Sequence, residues 1–387
     1  MRLIKTLPDP FVLLNGQRVS TLKEWDQRRL EIRHMMIDLQ YGSLPGAPEN
    51  VSINCLEKKI DPHGNHTQKY RMVLIPKYDR SNTNFFMDFR VTNPSPSNKN
   101  NNFNKTISSK RFPTLIYVGN NTCKIATDNG FKVISFDNSQ LEQMEMGRPI
   151  VGRARKCYDI VEPGRYSWGS ISAWAWGAIR LVDYALTMDD VDPDKIIISG
   201  HSRNGKTALL AGALDERIAI VNPAGSGCAG AGSYLALGAN CENLKALTDK
   251  KRWRHWMHKD FRRWADHEKE LPFDQHFLMG LVAPRPLLLT EGSQDYWANP
   301  LGTCVTHLAT RKIYDFFGSR KNNGIFFHEG GHDHSNEDFA ALVDFANLHF
   351  FSTPNKLTFD KILPEVENVT DLFLWQTPEK KEQISSQ

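Results

Sequence analysis

The chain has 387 residues, of which 40% are hydrophobic and 24% are charged, and its formal net charge is +4. So small a charge gives no reason to expect a nucleic-acid partner, and no apolar run reaches the ~18 residues that a membrane-spanning helix needs. The six cysteines lack the C-x-x-C spacing of structural zinc sites, so we expect neither a metal nor a cofactor.

The predicted elements begin with a charge-rich helix over 22–41, which Gly42 and Pro45 end. Short apolar strands then alternate with amphipathic helices, a pattern typical of an α/β protein with a doubly wound, mostly parallel sheet and helices on both faces. The predicted helices lie at 171–186, 301–317 and 337–350, and the predicted strands lie at 51–56, 69–75, 85–91, 114–118, 132–136, 195–199, 218–222, 286–290 and 324–328.

The segment 196–206 joins a β-branched strand to a helix through a serine with glycines on both sides. This is the layout of a nucleophile elbow, the tight strand-to-helix turn that exposes the serine of an α/β-hydrolase. The second glycine, Gly205, comes one residue later than in the G-x-S-x-G pattern, because Asn204 precedes it. The segment predicts Ser202 as the nucleophile of a three-layer α/β-hydrolase fold.

A serine nucleophile needs a base to take its proton and an acid to orient that base, and in this fold the acid precedes the histidine in the chain. Asp295 follows the predicted strand 286–290, where the acid is expected. Three histidines follow the acid. His328 lies in a strand and is expected to be structural, whereas the chemistry leaves His332 and His334 as equal candidates. His332 and His334 are not expected to bind a metal ion, because the sequence offers no third ligand at a suitable spacing.

Several motifs together resemble the bacterial glucuronoyl esterases of carbohydrate esterase family 15. They are G-H-S-R-N-G-K at 200–206, S-A-W-A-W-G at 172–177, A-P-R-P-L-L at 283–288, D-Y-W at 295–297 and G-H-D-H at 331–334. The resemblance extends from about Leu7 to about Phe351 and implies a serine esterase with an α/β-hydrolase fold. Its expected substrate is an ester of 4-O-methyl-glucuronic acid on a plant or algal polysaccharide, such as a link to lignin.

The resemblance also implies roles for individual residues. Arg203 would help to hold the oxyanion, and Lys206 and Trp297 would contact the sugar. The second histidine of the G-H-x-H pair would be the base, which selects His334 and leaves His332 in support. The implied catalytic residues are Ser202, His334, Asp295 and Arg203, and the implied substrate-binding residues are Lys206, Trp297 and His332.

Two positions depart from the family pattern. The family's P-x-E-S-G run reads P-A-G-S-G at 223–227, so Gly225 stands in place of an acid, and Ala239 replaces the acidic residue of a G-E pair. The triad would then close through Asp295, and the departures would affect specificity more than the reaction.

The departures leave two other functions open: an acetyl or methyl esterase acting on another polysaccharide, and a non-catalytic carbohydrate-binding relative. We expect one domain over 1–387, with an N-terminal extension at about 1–60 and an insertion at about 229–277 beside the active site. The expected partner is a carbohydrate ester, with no nucleic acid and no membrane, and the chain is expected to be a monomer. A polysaccharide substrate implies a secreted or periplasmic enzyme, although the N-terminal residues contain no signal peptide.

Overall fold

The computed structural model describes residues 1–60, 65–77, 83–94, 111–143, 145–147, 151–367 and 369–380. Its strands are β1 (Arg2–Leu3), β2 (Asn50–Ile60), β3 (His66–Ile75), β4 (Phe85–Thr92), β5 (Phe112–Val118), β6 (Lys132–Phe136), β7 (Val191–His201), β8 (Ile220–Ala224), β9 (Ala236–Leu237), β10 (Leu287–Gly292) and β11 (Asn323–His328). Its helices are α1 (Leu22–Met35), α2 (Lys124–Asp128), α3 (Arg153–Val161), α4 (Ser170–Ala185), α5 (Arg203–Leu214), α6 (Leu244–Leu247), α7 (His276–Gly280), α8 (Pro300–Phe316), α9 (Asn336–Phe351) and α10 (Pro364–Glu367).

A nine-stranded sheet carries the fold, in the order β11-β10-β8-β7-β5-β6-β4-β3-β2. The strands β11, β10, β8, β7, β5 and β6 pair in parallel, whereas β2, β3 and β4 form an antiparallel extension that joins the sheet at β6. The α/β-hydrolase fold and the doubly wound, mostly parallel sheet are confirmed. The parallel strands have helices on both faces, which is why they read as continuous apolar runs.

The two faces of the sheet bury separate clusters of side chains. Ile196 and Ile198 of β7 pack into the larger cluster with α4 and α5, whereas Ile197 points to the opposite cluster with α2 and α9. This alternation follows from the two-residue period of a strand. The burial of these side chains on opposite faces fixes the register of β7. The register in turn determines where the chain leaves the sheet, which is at Ser202.

The first predicted helix is shorter in the structure. A capping box between Thr21 and Glu24 starts α1, which ends at Met35, and a π-helical turn (Met36–Tyr41) follows. The charges of α1 predicted a surface helix, but one of its faces is in the core, since Trp25 and Ile32 are fully buried. The sequence did not predict α3, which contacts β4 and lines a cavity together with the turns at 254–259.

The insertion consists mainly of turns and short helices, and a buried carboxylate holds part of it. Asp274 accepts hydrogen bonds from the Ser233 hydroxyl at 2.5 Å and from the N–H groups of Tyr234 and Leu235 at 2.9 and 3.3 Å. β9, within the same insertion, pairs with β1 at the N-terminus. Along the described ranges, no helix is both long and apolar enough to cross a membrane.

Candidate active site

Ser202 lies on a tight turn between β7 and α5. Its φ and ψ are 59° and −124°, a left-handed conformation that a side chain rarely adopts, and its N–H donates to the carbonyl of Ala224 at 2.9 Å. A Cβ atom on Gly205 would lie 2.6 Å from that same carbonyl oxygen. The late glycine of the motif is therefore required by the close approach of α5 to the end of β8.

His332 bridges the serine and the acid. Its Nε2 lies 2.8 Å from Ser202 Oγ, and its Nδ1 lies 2.5 Å from Asp295 Oδ2. The His332 side chain is 38% exposed, whereas that of Asp295 is only 2% exposed. A buried acid, a half-open base and a serine hydroxyl thus form one hydrogen-bonded chain that reaches the protein surface, the arrangement that nucleophilic catalysis by serine needs.

Asp295 uses its two carboxylate oxygens for different purposes. Oδ1 accepts from the N–H of Ala298 at 3.1 Å and caps the short turn after β10, which leaves Oδ2 for His332. The end of β10, which leads to Asp295, lies close to the loop after β11, which carries His332. A Cβ on Gly292 would lie 2.2 Å from the Gly331 carbonyl oxygen. The capping bond fixes the carboxylate, and the close approach fixes the loop that carries the histidine.

The choice of His334 as the base is wrong in the structure. Its Nδ1 lies 3.0 Å from the Tyr117 hydroxyl, its ring stacks on Phe339 at 4.1 Å, and its Nε2 is buried with no partner among the described residues. Burial lowers the pKa of His334 to about 3, so the ring is neutral at ordinary pH. His332, expected only in support, occupies the position of the base.

His201 fills the space beside Gly225, where the family places an acid. Its ring centre lies 4.6 Å from that of His332, and a Cβ on Gly225 would lie 2.9 Å from His201 Nε2 and 3.7 Å from Asp295 Oδ2. Burial is the main cause that lowers the pKa of His201 to about 4, so a neutral ring packs against the base. No chemical signal in the sequence singles out His201, although it occupies the variable position of the G-x-S motif.

We expect His201→Ala to lower kcat by about 10- to 100-fold with little change in KM, because a small displacement of a catalytic group costs this much. His201→Phe keeps an aromatic ring against His332 and should retain most of the activity. Steady-state kinetics and thermal unfolding of both variants make the test. Equal kcat for the alanine variant and the wild type would show that His201 does not position the base.

Arg203 is the first residue of α5, so its backbone N–H points out of the helix N-terminus beside the serine. Burial lowers the pKa of its guanidinium, and the negative charge of Asp137 opposes that shift. The side-chain amide of Asn138 donates to Asn204 Oδ1 at 2.9 Å, which ties the loop after β6 to the same helix turn. The partial positive charge of the α5 N-terminus favours an anion beside Ser202, which is the role that the resemblance implies for Arg203.

Lys206 is buried and paired rather than solvated. Its Nζ donates to the Ser226 carbonyl at 2.7 Å and lies 3.5 Å from Glu242 Oε2, with the two side chains only 4% and 6% exposed. Arg252 lies 3.9 Å from the other oxygen of Glu242. Although Ala239 removes one acid from this region, Glu242 supplies another. Glu242 was not a predicted site residue, since only the fold brings it to Lys206.

We expect Glu242→Ala to lower the free energy of unfolding by about 3 kcal/mol, because removal of one partner leaves the buried Lys206 ammonium unpaired. The double variant Lys206→Met with Glu242→Leu removes both charges, and its free energy of unfolding should be close to that of the wild type. Urea unfolding curves compare the three proteins. A stability of Glu242→Ala within experimental error of the wild type would contradict a buried pair at this position.

Trp297 stands at the mouth of the site. It is 39% exposed, the Arg252 guanidinium lies 4.7 Å from the centre of one of its rings, and its carbonyl accepts from the N–H of Glu242 at 2.9 Å. An exposed indole beside a cation and a carboxylate is well suited to a sugar ring. Within the described ranges, no group of three His, Cys, Asp or Glu side chains could hold a metal ion.

A family model described as fungal glucuronyl esterase matches residues 91–318, which is more than half of the chain. The chain belongs to the glucuronoyl esterase family. It is therefore a carboxylic ester hydrolase. The 4-O-methyl-glucuronoyl methylesterase of Neurospora crassa is 30% identical to it over 86% of this chain and 77% of the relative.

Solved structures of glucuronoyl esterases agree with the fold. The family 15 enzyme of Caldicellulosiruptor kristjansonii has a TM-score of 0.78 and 27% identity, covering 95% of this chain and 97% of its own. A serine-to-alanine variant of the Sporotrichum thermophile enzyme, in complex with methyl 4-O-methyl-β-D-glucopyranuronate, has a TM-score of 0.71 and 25% identity, covering 92% and 90%. The resemblance inferred from the motifs is confirmed.

Proposed function

We propose that this glucuronoyl esterase hydrolyses 4-O-methyl-glucuronoyl esters on a polysaccharide, with Ser202 as nucleophile, His332 as base and Asp295 as the orienting acid. The observation that carries the proposal is the contact of His332 with both partners, at 2.8 Å to Ser202 Oγ and 2.5 Å to Asp295 Oδ2. The hydrogen-bonded triad is complete within one chain, which supports the expectation of a monomer.

The geometry supports a two-step reaction. Ser202 Oγ attacks the ester carbonyl while His332 Nε2 takes its proton, and the imidazolium then gives that proton to the departing alcohol. Water next attacks the acyl-enzyme, and His332 again acts first as base and then as acid. The uronic acid leaves and Ser202 regains its proton. Asp295 keeps Nδ1 protonated, so that Nε2 is free to accept from the serine.

The oxyanion forms on the side of the serine that faces the start of α5. The backbone N–H of Arg203 is the polar donor expected there, and its guanidinium is the charged donor. The helix dipole also favours negative charge at this end. Arg203 is therefore assigned to the oxyanion, as the sequence implied, and His334 is replaced by His332 in the triad.

The uronic-acid sugar of the substrate would lie among Trp297, Arg252 and the ion pair of Lys206 with Glu242. The Neurospora relative carries the name of a 4-O-methyl-glucuronoyl methylesterase, and the Sporotrichum enzyme was solved with a methyl glucuronate ester. Both names support a uronate ester as the substrate. The same walls offer hydrogen-bond donors and acceptors for sugar hydroxyls together with an exposed aromatic face.

The test compares two products under one set of conditions. We expect methanol from methyl 4-O-methyl-D-glucuronate and little acetate from acetylated xylan, with Ser202→Ala as the inactive control. Acetate release without methanol release would overturn the uronoyl assignment in favour of an acetyl esterase. Binding of oligosaccharide without release of either product would point to a non-catalytic relative.

A further inference from the structure

A second cavity lies outside the triad, between α3 and the turns at 254–259. Its volume is about 640 Å³, which falls in the range of ligand-binding clefts. Val151 and Ile160 are 40% and 61% exposed at this cavity, and Tyr166, Trp168 and Met257 also line it. The exposed apolar side chains can contact the apolar faces of sugar rings, whereas Trp168 and Met257 are buried in the wall.

The walls of the cavity are held together by one arginine. Arg155 on α3 donates to the Trp168 carbonyl at 3.3 Å, to Ser170 Oγ at 3.2 Å and to Glu142 at 2.6 Å. The Ser170 hydroxyl in turn donates to the His255 carbonyl at 3.2 Å. The three segments that form the walls are therefore joined before any ligand binds, which lowers the entropic cost of binding.

The cavity carries more positive than negative charge. Lys156, Arg254 and Lys259 line it, are exposed, and form no ion pair with any residue that the structure describes. Of its two acids, Glu162 is paired with Arg165, whereas Asp159 accepts from the Gly164 N–H at 3.0 Å, a hydrogen bond that does not cancel its charge. The cavity thus presents three cations beside one carboxylate that, within the described part of the chain, is not paired with another cation.

The same segment of chain also reaches the active site. Arg252, at its start, lies over the ring of Trp297, and Trp253 stacks on Trp256 at 4.5 Å just before the cavity wall. Arg254 and His255 then line the cavity. The turns at 252–257 therefore contact the mouth of the catalytic site at one end and the second cavity at the other.

We propose that this cavity binds the free uronate groups of an acidic oligosaccharide, so that the substrate is a polysaccharide with several uronic acids, only some of them esterified. The inference rests on the proposed function for its substrate class. Carboxylates would pair with Lys156, Arg254 and Lys259, while the apolar walls contact the sugar rings.

Calorimetric titration of the Ser202→Ala protein with an unesterified glucuronate oligomer tests the site. The triple variant Lys156→Ala, Arg254→Ala, Lys259→Ala should raise Kd by about 10-fold or more, if each exposed pair contributes the usual fraction of a kcal/mol to 1 kcal/mol. The matched control Lys58→Ala, Lys321→Ala, Lys361→Ala removes three exposed lysines elsewhere and should leave Kd unchanged. A neutral xylo-oligosaccharide should bind at least 10-fold more weakly than the glucuronate oligomer.

An equal loss in both triple variants would overturn the site, because it would show only a general charge effect. Equal binding of the neutral oligomer, or tighter binding of a sulfated one, would overturn the uronate class. A separate measurement tests the proposed function. If the wild-type protein, with Ser202 intact, releases no methanol from methyl glucuronate, the proposed function is wrong whatever the cavity binds. We expect the cavity triple variant, with Ser202 intact, to hydrolyse that small ester at the wild-type rate.

Discussion

We expect His332→Ala to lower kcat/KM for methyl 4-O-methyl-glucuronate by about 10⁴- to 10⁶-fold, as loss of the base does in other serine hydrolases. The reason is that His332 Nε2, 2.8 Å from Ser202 Oγ, is the group placed to take the serine proton. Without it the hydroxyl stays protonated and is a poor nucleophile. Initial rates of methanol release over a range of substrate concentrations measure the effect.

His334→Phe is the matched control, since His334 lies two residues along the same loop. The phenyl ring keeps the packing on Phe339 and loses only the contact of Nδ1 with the Tyr117 hydroxyl. One lost hydrogen bond of this kind costs about 1 kcal/mol of stability, and we expect kcat/KM within about 10-fold of the wild type, since a hydrogen bond that is not made in the transition state adds little to catalysis. The reverse pattern, with His334→Phe inactive and His332→Ala active, would restore the motif-based choice of base.

The second large effect is expected for Asp295→Asn, which should lower kcat by about 10³- to 10⁴-fold and leave KM nearly unchanged. An amide in this place can donate to His332 Nδ1, which would hold the imidazole in the tautomer that cannot accept the serine proton. Asp333→Asn is the matched control, because Asp333 is exposed on the histidine loop and its N–H is bonded to the Gly331 carbonyl. Steady-state kinetics on the small ester separate kcat from KM.

Full activity of Asp295→Asn would mean that another carboxyl orients His332. Glu291 is a neighbouring acid, but burial raises its pKa well above the ordinary value, and the nearby charge of Asp295 raises it further. Its Oε1 accepts from the Thr303 hydroxyl at 3.3 Å, inside the protein. Gly225 contributes no side chain at all. The structure therefore makes the reaction depend on Asp295.

The sequence predicted much of the fold because the signals were local. The isoleucines at 196–198 have the β-branched composition of a buried strand, and Gly200 with Gly205 marks the tight turn around Ser202. The predicted and observed strand at 132–136 coincide, and the helices predicted at 171–186, 301–317 and 337–350 agree with the structure to within one residue at each end. The π-helical turn after α1 had no comparable signal in the sequence.

The site was harder to predict because its last contacts join distant parts of the chain. His332 and His334 carry the same chemistry two residues apart, and only the fold shows which ring faces Ser202. Likewise, the pairing of Lys206 with Glu242 and the space taken by His201 beside Gly225 depend on contacts between strands and loops that no spacing in the sequence reveals.

Covalent labelling of the nucleophile tests the central claim most directly, that His332 activates Ser202. A fluorophosphonate probe is added to the wild type, His332→Ala and His334→Phe, and peptide mass spectrometry follows the modified serine over time. We expect labelling of Ser202 in the wild type and in His334→Phe at similar rates, and a rate lower by at least about 100-fold in His332→Ala, since loss of general-base assistance costs this much. Labelling that persists in His332→Ala but disappears in His334→Phe, or labelling of a serine other than Ser202, would contradict the proposed triad.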